Sequence, residues 1–128
     1  MKYHAKLGAS EGSYTPFTVG KQEIVLTSVS LQQVSPGDLI ELEIDVTWVK
    51  SIYWDMGEME FILRKDTPDG PVIYWTLETC FEKGRTRESC SFYADPGMSV
   101  FYLSVRSADE RGVISGDYWL KGTVKSVT

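Results

Sequence analysis

The side chains best suited to acid–base chemistry, or to holding a cation, are three carboxylates spaced two residues apart. Glu41, Glu43 and Asp45 alternate with apolar residues. On one face of a strand such carboxylates lie about 7 Å apart, and glycosidases space their two carboxyl groups about 5 Å apart or somewhat more. Carboxylates in line on a strand more often pair with cationic side chains of neighbouring strands, here Arg64 or Arg106. We therefore expect a solvated, charge-paired face.

Other kinds of catalytic site find less support. The single histidine, His4, lies near the N-terminus, so a nucleophile–histidine–acid triad would require that segment to fold back on a core serine. A calcium site needs about six to eight oxygens that converge from a loop, and the stretches DMGEME (55–60) and ADER (108–111) supply few. The sequence predicts no catalytic residue, no metal and no cofactor, and therefore a protein that is not an enzyme.

The two cysteines, Cys80 and Cys90, flank the stretch FEKGRTRES. In a hairpin centred on Arg85 they could form a disulfide if their Cβ atoms came within about 4.5 Å of each other. Alternation places Cys80 on the face of Tyr74 and Cys90 on the face of Phe92, so a bridge needs a bulge. A disulfide, which implies an oxidising compartment, and two half-buried thiols both stay open.

The 128 residues suit a single domain that buries a core without a metal or a disulfide. A net charge of −5 disfavours binding to nucleic acid or to an anionic membrane. No apolar run approaches the roughly 20 residues of a membrane span, so we expect no membrane insertion. The start, MKYHAKLGAS, lacks the apolar region of a signal peptide. Synthesis in the cytosol and a leader absent from this sequence both stay open.

Strict alternation of apolar and polar residues marks three strands, at 38–50, 99–107 and 113–127. Inward positions are Ile40, Leu42, Ile44, Val46 and Trp48 in the first, Phe101, Leu103 and Val105 in the second, and Ile114, Tyr118, Leu120 and Val124 in the third, where Trp119 points outward. Each of these strands therefore has one buried and one wet face.

The stretch DTPDGP (66–71) has the chemistry of a three-residue hairpin loop, in which Gly70 takes a positive φ. This loop places Thr67 opposite Pro71 and fixes the register of the two strands. The inward set is then Phe61, Leu63, Ile73, Trp75 and Leu77, and the outward set is Ile62, Arg64, Tyr74 and Thr76, with Arg64 opposite Tyr74.

Further strands at 23–31 and 91–95, the second ending in a turn at Pro96-Gly97, bring the total to about seven without a helix. The stretch IYW at 52–54 could extend a strand, turn a corner between two sheets or form one helical turn. We predict an all-β fold, a two-sheet antiparallel β-sandwich over 23–128. Its topology is either a jelly roll or an immunoglobulin-like Greek key.

Residues 1–22 are rich in Gly, Ser and Thr and carry little alternation, which predicts an extended N-terminal arm. Tyr3, Tyr14 and Phe17 are its candidate contact residues. Such an arm lies on its own domain or completes the sheet of a neighbouring copy by strand addition.

Outward aromatic rings are the candidate interface or ligand-stacking residues: Tyr74, Tyr102 and Trp119, with Arg64 beside Tyr74. Single exposed aromatics are common on protein surfaces, and stacking of arginine on tyrosine would explain them without any ligand. Aromatic anchors are also frequent at protein interfaces, and flat rings on a sheet can stack on sugars.

Taken together, these features predict a non-enzymatic structural or assembly subunit, a component of a filament, fibre, shell or surface layer. It would form homo-oligomers by edge-strand or arm exchange, outside the cell or on a particle surface rather than in the cytoplasm. The alternative is a carbohydrate-binding β-sandwich module that holds a polysaccharide on Trp119 and Tyr74.

Overall fold

The computed structural model describes residues 2–80, 83–95 and 99–126. These residues form nine β-strands: β1 (Tyr3–Ala9), β2 (Phe17–Thr18), β3 (Ile24–Ser30), β4 (Leu39–Lys50), β5 (Gly57–Lys65), β6 (Val72–Cys80), β7 (Lys83–Tyr93), β8 (Val100–Arg106) and β9 (Gly112–Lys125). Within that part of the chain we find no helix with the length and apolar character needed to cross a membrane.

The strands pair antiparallel in two sheets. Sheet A has the order β1-β9-β4-β7, with β2 also on β9, and sheet B has the order β3-β8-β5-β6. The strands β5 and β6 form a hairpin, and every other connection from β2 onward crosses between the sheets. This is the strand order of a jelly roll, so the predicted two-sheet β-sandwich is confirmed. The two additional strands are β1 and β2.

The core fills the space between the sheets, and β4, β5, β8 and β9 supply most of its residues. The predicted inward residues of β4, β8 and β9 that are at most 2% exposed are Ile40, Leu42, Ile44, Val46, Trp48, Phe101, Leu103, Val105, Ile114, Leu120 and Val124. Tyr118 is half-buried against them. The alternation in these three strands therefore predicts their facing correctly.

The described N-terminal residues 2–22 lie on their own sandwich, which is one of the two placements open for the predicted arm. β1 pairs with the C-terminal half of β9 and β2 with its N-terminal end, and Val19 is fully buried. Gly8 permits the close approach, because a Cβ there would meet the carbonyl oxygen of Tyr118. The alternation is weak because β1 is an edge strand with little fully buried surface.

The loop between β5 and β6 is longer than predicted. The Lys65 N–H donates to the Pro71 carbonyl at 3.2 Å, so Lys65 rather than Thr67 closes the loop. The turn lies where expected, since the Gly70 N–H donates to Thr67 at 2.9 Å. It is Asp66, with φ 73°, that takes the left-handed conformation. Glycine is needed at position 70 because a Cβ there would meet the carbonyl oxygen of Lys65.

A bulge at Ile73 shifts the register of this hairpin again. Leu63 lies opposite Tyr74, and Arg64 lies opposite Val72. The predicted pairings of Leu63 with Trp75 and of Arg64 with Tyr74 are therefore wrong.

The shifted register reverses the facing of β6, because a slip of one residue moves every side chain to the other face. Trp75 and Leu77 point to the outer face of sheet B, where they are 52% and 46% exposed, and Tyr74 turns inward. Ile62 lies opposite Trp75 on that outer face and is only 5% exposed.

The connection between β4 and β5 turns a corner between the sheets, which selects one of the three alternatives for IYW. The Trp54 N–H donates to the Ser51 carbonyl at 3.1 Å, and the Ser51 N–H donates to Arg111 at 2.7 Å. Ile52 and Tyr53 at its tip are 84% and 83% exposed. The predicted turn at Pro96-Gly97 lies outside the described residues.

Candidate functional site

The three in-line carboxylates lie on the outer face of sheet A, and Asp45 and Glu41 among them are paired with cationic side chains. Asp45, 2% exposed, accepts a hydrogen bond from Arg85 Nε at 2.9 Å and lies 3.4 Å from Arg87 Nε. The hydrogen bond with Asp45 raises the pKa of Arg85 above its ordinary value. Lys125 donates to Glu41 at 3.1 Å. The strip is therefore a charge-paired face.

The cationic partners predicted for that strip lie on the other sheet. Arg64 donates to both carboxylate oxygens of Glu23, at 2.7 and 2.8 Å. This bidentate pair lowers the pKa of Glu23 below its ordinary value. Arg106 donates to Glu60 at 2.7 Å. The prediction that Arg64 or Arg106 would neutralise the strip is wrong, because β5 and β8 belong to sheet B.

The structure brings together no metal-binding cluster among the described residues. In that part of the chain no three His, Cys, Asp or Glu side chains are placed to hold a metal ion. His4 is exposed on β1, opposite Thr123 of β9. The chemistry of this surface is charge pairing and apolar contact.

Both cysteines are free thiols, so the disulfide between Cys80 and Cys90 does not form. Cys80 ends β6 in sheet B, whereas Cys90 lies opposite Leu42 in sheet A. The chain crosses between the sheets after Cys80, so the two residues are not the opposed positions of one hairpin. Burial raises the pKa of the Cys90 thiol, which disfavours the reactive thiolate.

Trp119 points outward from sheet A as predicted, but it is half-buried and partly covered. The Lys6 amine lies 4.5 Å from the centre of the indole ring, a cation–π contact. An open depression beside the ring is lined by Lys6, Gly8, Ser10 and Asp117 among others. A flat ligand would have to displace Lys6 before it could stack.

The other two predicted rings differ in orientation. Tyr74 faces inward, and its hydroxyl donates to Glu88 at 3.2 Å across the gap between β6 and β7. Burial, and then the hydrogen bond to Glu88, raise the pKa of Tyr74. Tyr102 is half-buried on the outer face of sheet B, opposite Arg64 of β5 and Ser28 of β3. Tyr74 is therefore removed from the candidate outward rings.

The N-terminal aromatic residues contact their own domain. The Tyr14 hydroxyl donates to the Gly116 carbonyl at 2.6 Å, and its ring lies edge-on to Phe17 and Tyr118, at 6.0 and 5.6 Å between ring centres. Burial raises the pKa of Tyr14. Tyr3 is half-buried against the core.

An exposed apolar edge that the sequence does not predict is β6 itself. It is an edge strand of sheet B, so one side of its backbone has no neighbouring strand among the described residues. Val72, Trp75 and Leu77 are 50%, 52% and 46% exposed. Trp75 is fixed in place, because its Nε1 donates to Glu60 at 2.9 Å and Glu60 is held by Arg106. An unpaired edge strand of nine residues with exposed apolar side chains is a template for another strand.

The edge of sheet A on the same side of the sandwich has the opposite character. β7 carries Arg85 and Arg87 in its first half. Charged side chains protect an edge strand from pairing. The nine residues of β6, VIYWTLETC, contain Glu78 as their one charged side chain and no proline. The sequence signal for this surface is the near-absence of charged residues in β6.

A second exposed apolar feature is the corner loop that carries Ile52, Tyr53 and Trp54. The Arg111 guanidinium lies 4.0 Å from the centre of the Trp54 ring, which holds that side chain against the domain. Ile52 and Tyr53 extend beyond it into solvent. Alternation could not place this loop, because its residues belong to no strand.

No protein-family model and no curated protein matches the chain. Among solved structures, a protein of infectious bursal disease virus, Gx strain, is similar with a TM-score of 0.56 and 10% identity, over 98% of this chain and 32% of that one. This chain thus spans about a third of that relative's length. At such identity the likeness shows the fold alone, a β-sandwich.

Two weaker likenesses concern proteins of comparable length. A protein of Bacillus endospore appendages, described as disulfide-linked pili, has a TM-score of 0.47 and 6% identity over 98% of this chain and 88% of that one. The CBM22-1 xylan-binding domain of Paenibacillus barcinonensis Xyn10C has a TM-score of 0.44 and 12% identity over 98% and 83%. Both are too distant to carry an argument about function.

Proposed function

We propose that this chain is a non-enzymatic structural subunit that associates with copies of itself through the free edge of β6. The observation that carries the proposal is the pairing of an open backbone edge with the exposed apolar side chains Val72, Trp75 and Leu77. Backbone hydrogen bonds supply affinity in strand addition, and the alternate side chains supply specificity. The assembly is a filament, fibre, shell or surface layer, outside the cell or on a particle.

The test is the size of the protein in solution. Sedimentation velocity over a range of concentrations should report oligomers, and Leu77→Lys should weaken association at least tenfold, because a lysine at an edge opposes strand pairing. Leu77 is half-exposed, so this change should leave the fold stable. The matched control is Val25→Lys on β3, the opposite edge of the same sheet, where an apolar side chain is 43% exposed. A wild-type monomer at every concentration would refute the proposal.

Exchange of the N-terminal segment is a second contact to be tested. β1 pairs with β9 of its own chain, yet Leu7 on this edge strand is 57% exposed. Deleting residues 1–20 would also remove the buried Val19 and so unfold the domain. The sharper test is Leu7→Lys, which should reduce assembly size if copies meet at β1. Unchanged size would exclude this contact and leave the β6 edge as the site of association.

A carbohydrate-binding module is the alternative function, and the depression beside Trp119 is the observation that favours it. Against it, Lys6 covers the ring, and Tyr74 faces inward. Retention on insoluble xylan, cellulose and chitin should be lost in Trp119→Ala and kept in Trp75→Ala if this reading is correct. No retention of the wild-type protein would remove it.

A further inference from the structure

The free edge of β6 has a sequence that complements itself when two copies run antiparallel. Resting on the proposed self-association, we propose that two copies pair β6 with β6 about a two-fold axis that passes through Thr76 and stands perpendicular to sheet B. The two four-stranded sheets then join into one continuous eight-stranded sheet. The partner at this edge is a second copy of this chain.

The choice of register follows from the facing of the side chains. A two-fold axis perpendicular to the sheet keeps both outer faces on one side, so outward residues must lie opposite outward residues. This leaves registers centred on Trp75, Thr76 or Leu77 near the middle of the strand. Thr76 is the central residue of Val72–Cys80, and its register sets Trp75 opposite Leu77 and Tyr74 opposite Glu78 with matched facing, up to the bulge at Ile73.

The exposed apolar side chains of β6 favour the register centred on Thr76. With Thr76 on the axis, Trp75 of each copy lies opposite Leu77 of the other, so the two large exposed apolar side chains of each strand cover each other. Aromatic–aliphatic pairs of this kind are favourable across antiparallel strands. A register centred on Leu77 would leave Trp75 opposite Thr79, and one centred on Trp75 would place Leu77 opposite the bulged Ile73.

Charge is compatible with this arrangement. Glu78, the one charged residue of β6, lies opposite Tyr74 of the second copy. The two Glu78 side chains are then four residues apart along the joined strands, about 13 Å. No like charges face each other directly. The alternative partner edge, β7, would set Arg85 and Arg87, already engaged with Asp45, against an apolar strand.

Thr76→Cys tests the register, because directly opposed residues of antiparallel strands have Cα atoms about 4.5–5.5 Å apart, within disulfide range. Mild oxidation should link this variant into covalent dimers, at least tenfold more than Thr79→Cys, whose two copies would be about 20 Å apart. The wild-type protein controls for Cys80 and Cys90. Gel electrophoresis with and without reductant measures the dimer, and sedimentation measures association before oxidation.

The outcomes separate the register from the proposed function. Efficient linkage of Thr76→Cys alone supports the two-fold pairing. If the wild-type protein associates and Leu77→Lys disrupts it, but Thr76→Cys does not link or Thr79→Cys links as well, the register is wrong and self-association through β6 stands. If the wild-type protein is monomeric, both proposals fall.

Discussion

At the scale of single residues, the bidentate pair between Arg64 and Glu23 makes the stability of the fold depend on pH. Both side chains are about a fifth exposed, at 22% and 23%, and the pair lowers the pKa of Glu23. Its contribution is therefore complete above the unfolded pKa of about 4.3 and is lost as the pH falls through the lower folded value. Glu23→Gln should reduce the free energy of unfolding by about 0.5–1 kcal/mol at pH 7.

Urea unfolding between pH 7 and pH 3 checks this prediction. The difference between Glu23→Gln and the wild-type protein should shrink as the pH falls below about 4.3. Glu41→Gln is a suitable control, because Glu41 pairs with a Lys125 side chain that is 45% exposed, and exposed pairs contribute little. A difference that is constant across this pH range would mean that the pair does not stabilise the charged carboxylate.

At the scale of elements, the β5–β6 hairpin decides which side chains the protein presents. Its loop depends on Gly70, where a Cβ would meet the Lys65 carbonyl oxygen. Gly70→Ala should therefore destabilise the fold by about 1–3 kcal/mol, whereas Gly20→Ala should be neutral or slightly stabilising, because nothing lies within 4 Å of a Cβ at that position. Thermal unfolding of both variants measures the difference, and equal melting temperatures would contradict the loop geometry.

The same hairpin shows how much of the side-chain facing can be predicted from the sequence. Alternation predicts facing where a strand is paired on both sides, as for β4, β8 and β9, because a wrong face there would expose a whole row of apolar side chains. β6 is an edge strand, and apolar residues occupy both of its faces, so its pattern fits either register. The bulge at Ile73 and the left-handed conformation of Asp66 then determine the register. Neither residue type predicts such a role in the register from the sequence.

The candidate site was hard to predict for the same reason. The register predicted from the DTPDGP loop places Trp75 and Leu77 in the core, whereas alternation places Trp119, on the doubly paired β9, correctly. The sequence leaves the disulfide open, because it cannot reveal that the chain changes sheets between Cys80 and Cys90. Pairing order between distant strands is a property of the whole sandwich rather than of any segment.

At the scale of the whole molecule, a two-fold contact through β6 closes at two copies. A growing filament or shell therefore needs a further contact elsewhere, and the surfaces with exposed apolar side chains include the β1 edge, with Leu7, and the corner loop with Ile52 and Tyr53. The Ile52→Ser, Tyr53→Ser double variant should then leave the dimer intact and stop larger assemblies. Electron microscopy and sedimentation would distinguish these states, and assemblies of unchanged size would exclude the loop.

The net charge sets how this association responds to solution conditions. Each copy carries a net charge of −5, so copies repel each other, while the proposed contact at β6 is apolar with one charged residue per strand. Raising the salt concentration from 0.1 to 1 M shortens the screening length from about 10 to about 3 Å, which should tighten the dimer about two- to fivefold.

Lowering the pH from 7.5 to 5.5, toward the isoelectric point near 4.8, should also tighten the dimer, because the net charge of each copy falls. Sedimentation equilibrium measures both effects. If salt instead weakens association, the copies are held by ion pairs, and Arg85 and Arg87 on β7 become the residues to substitute.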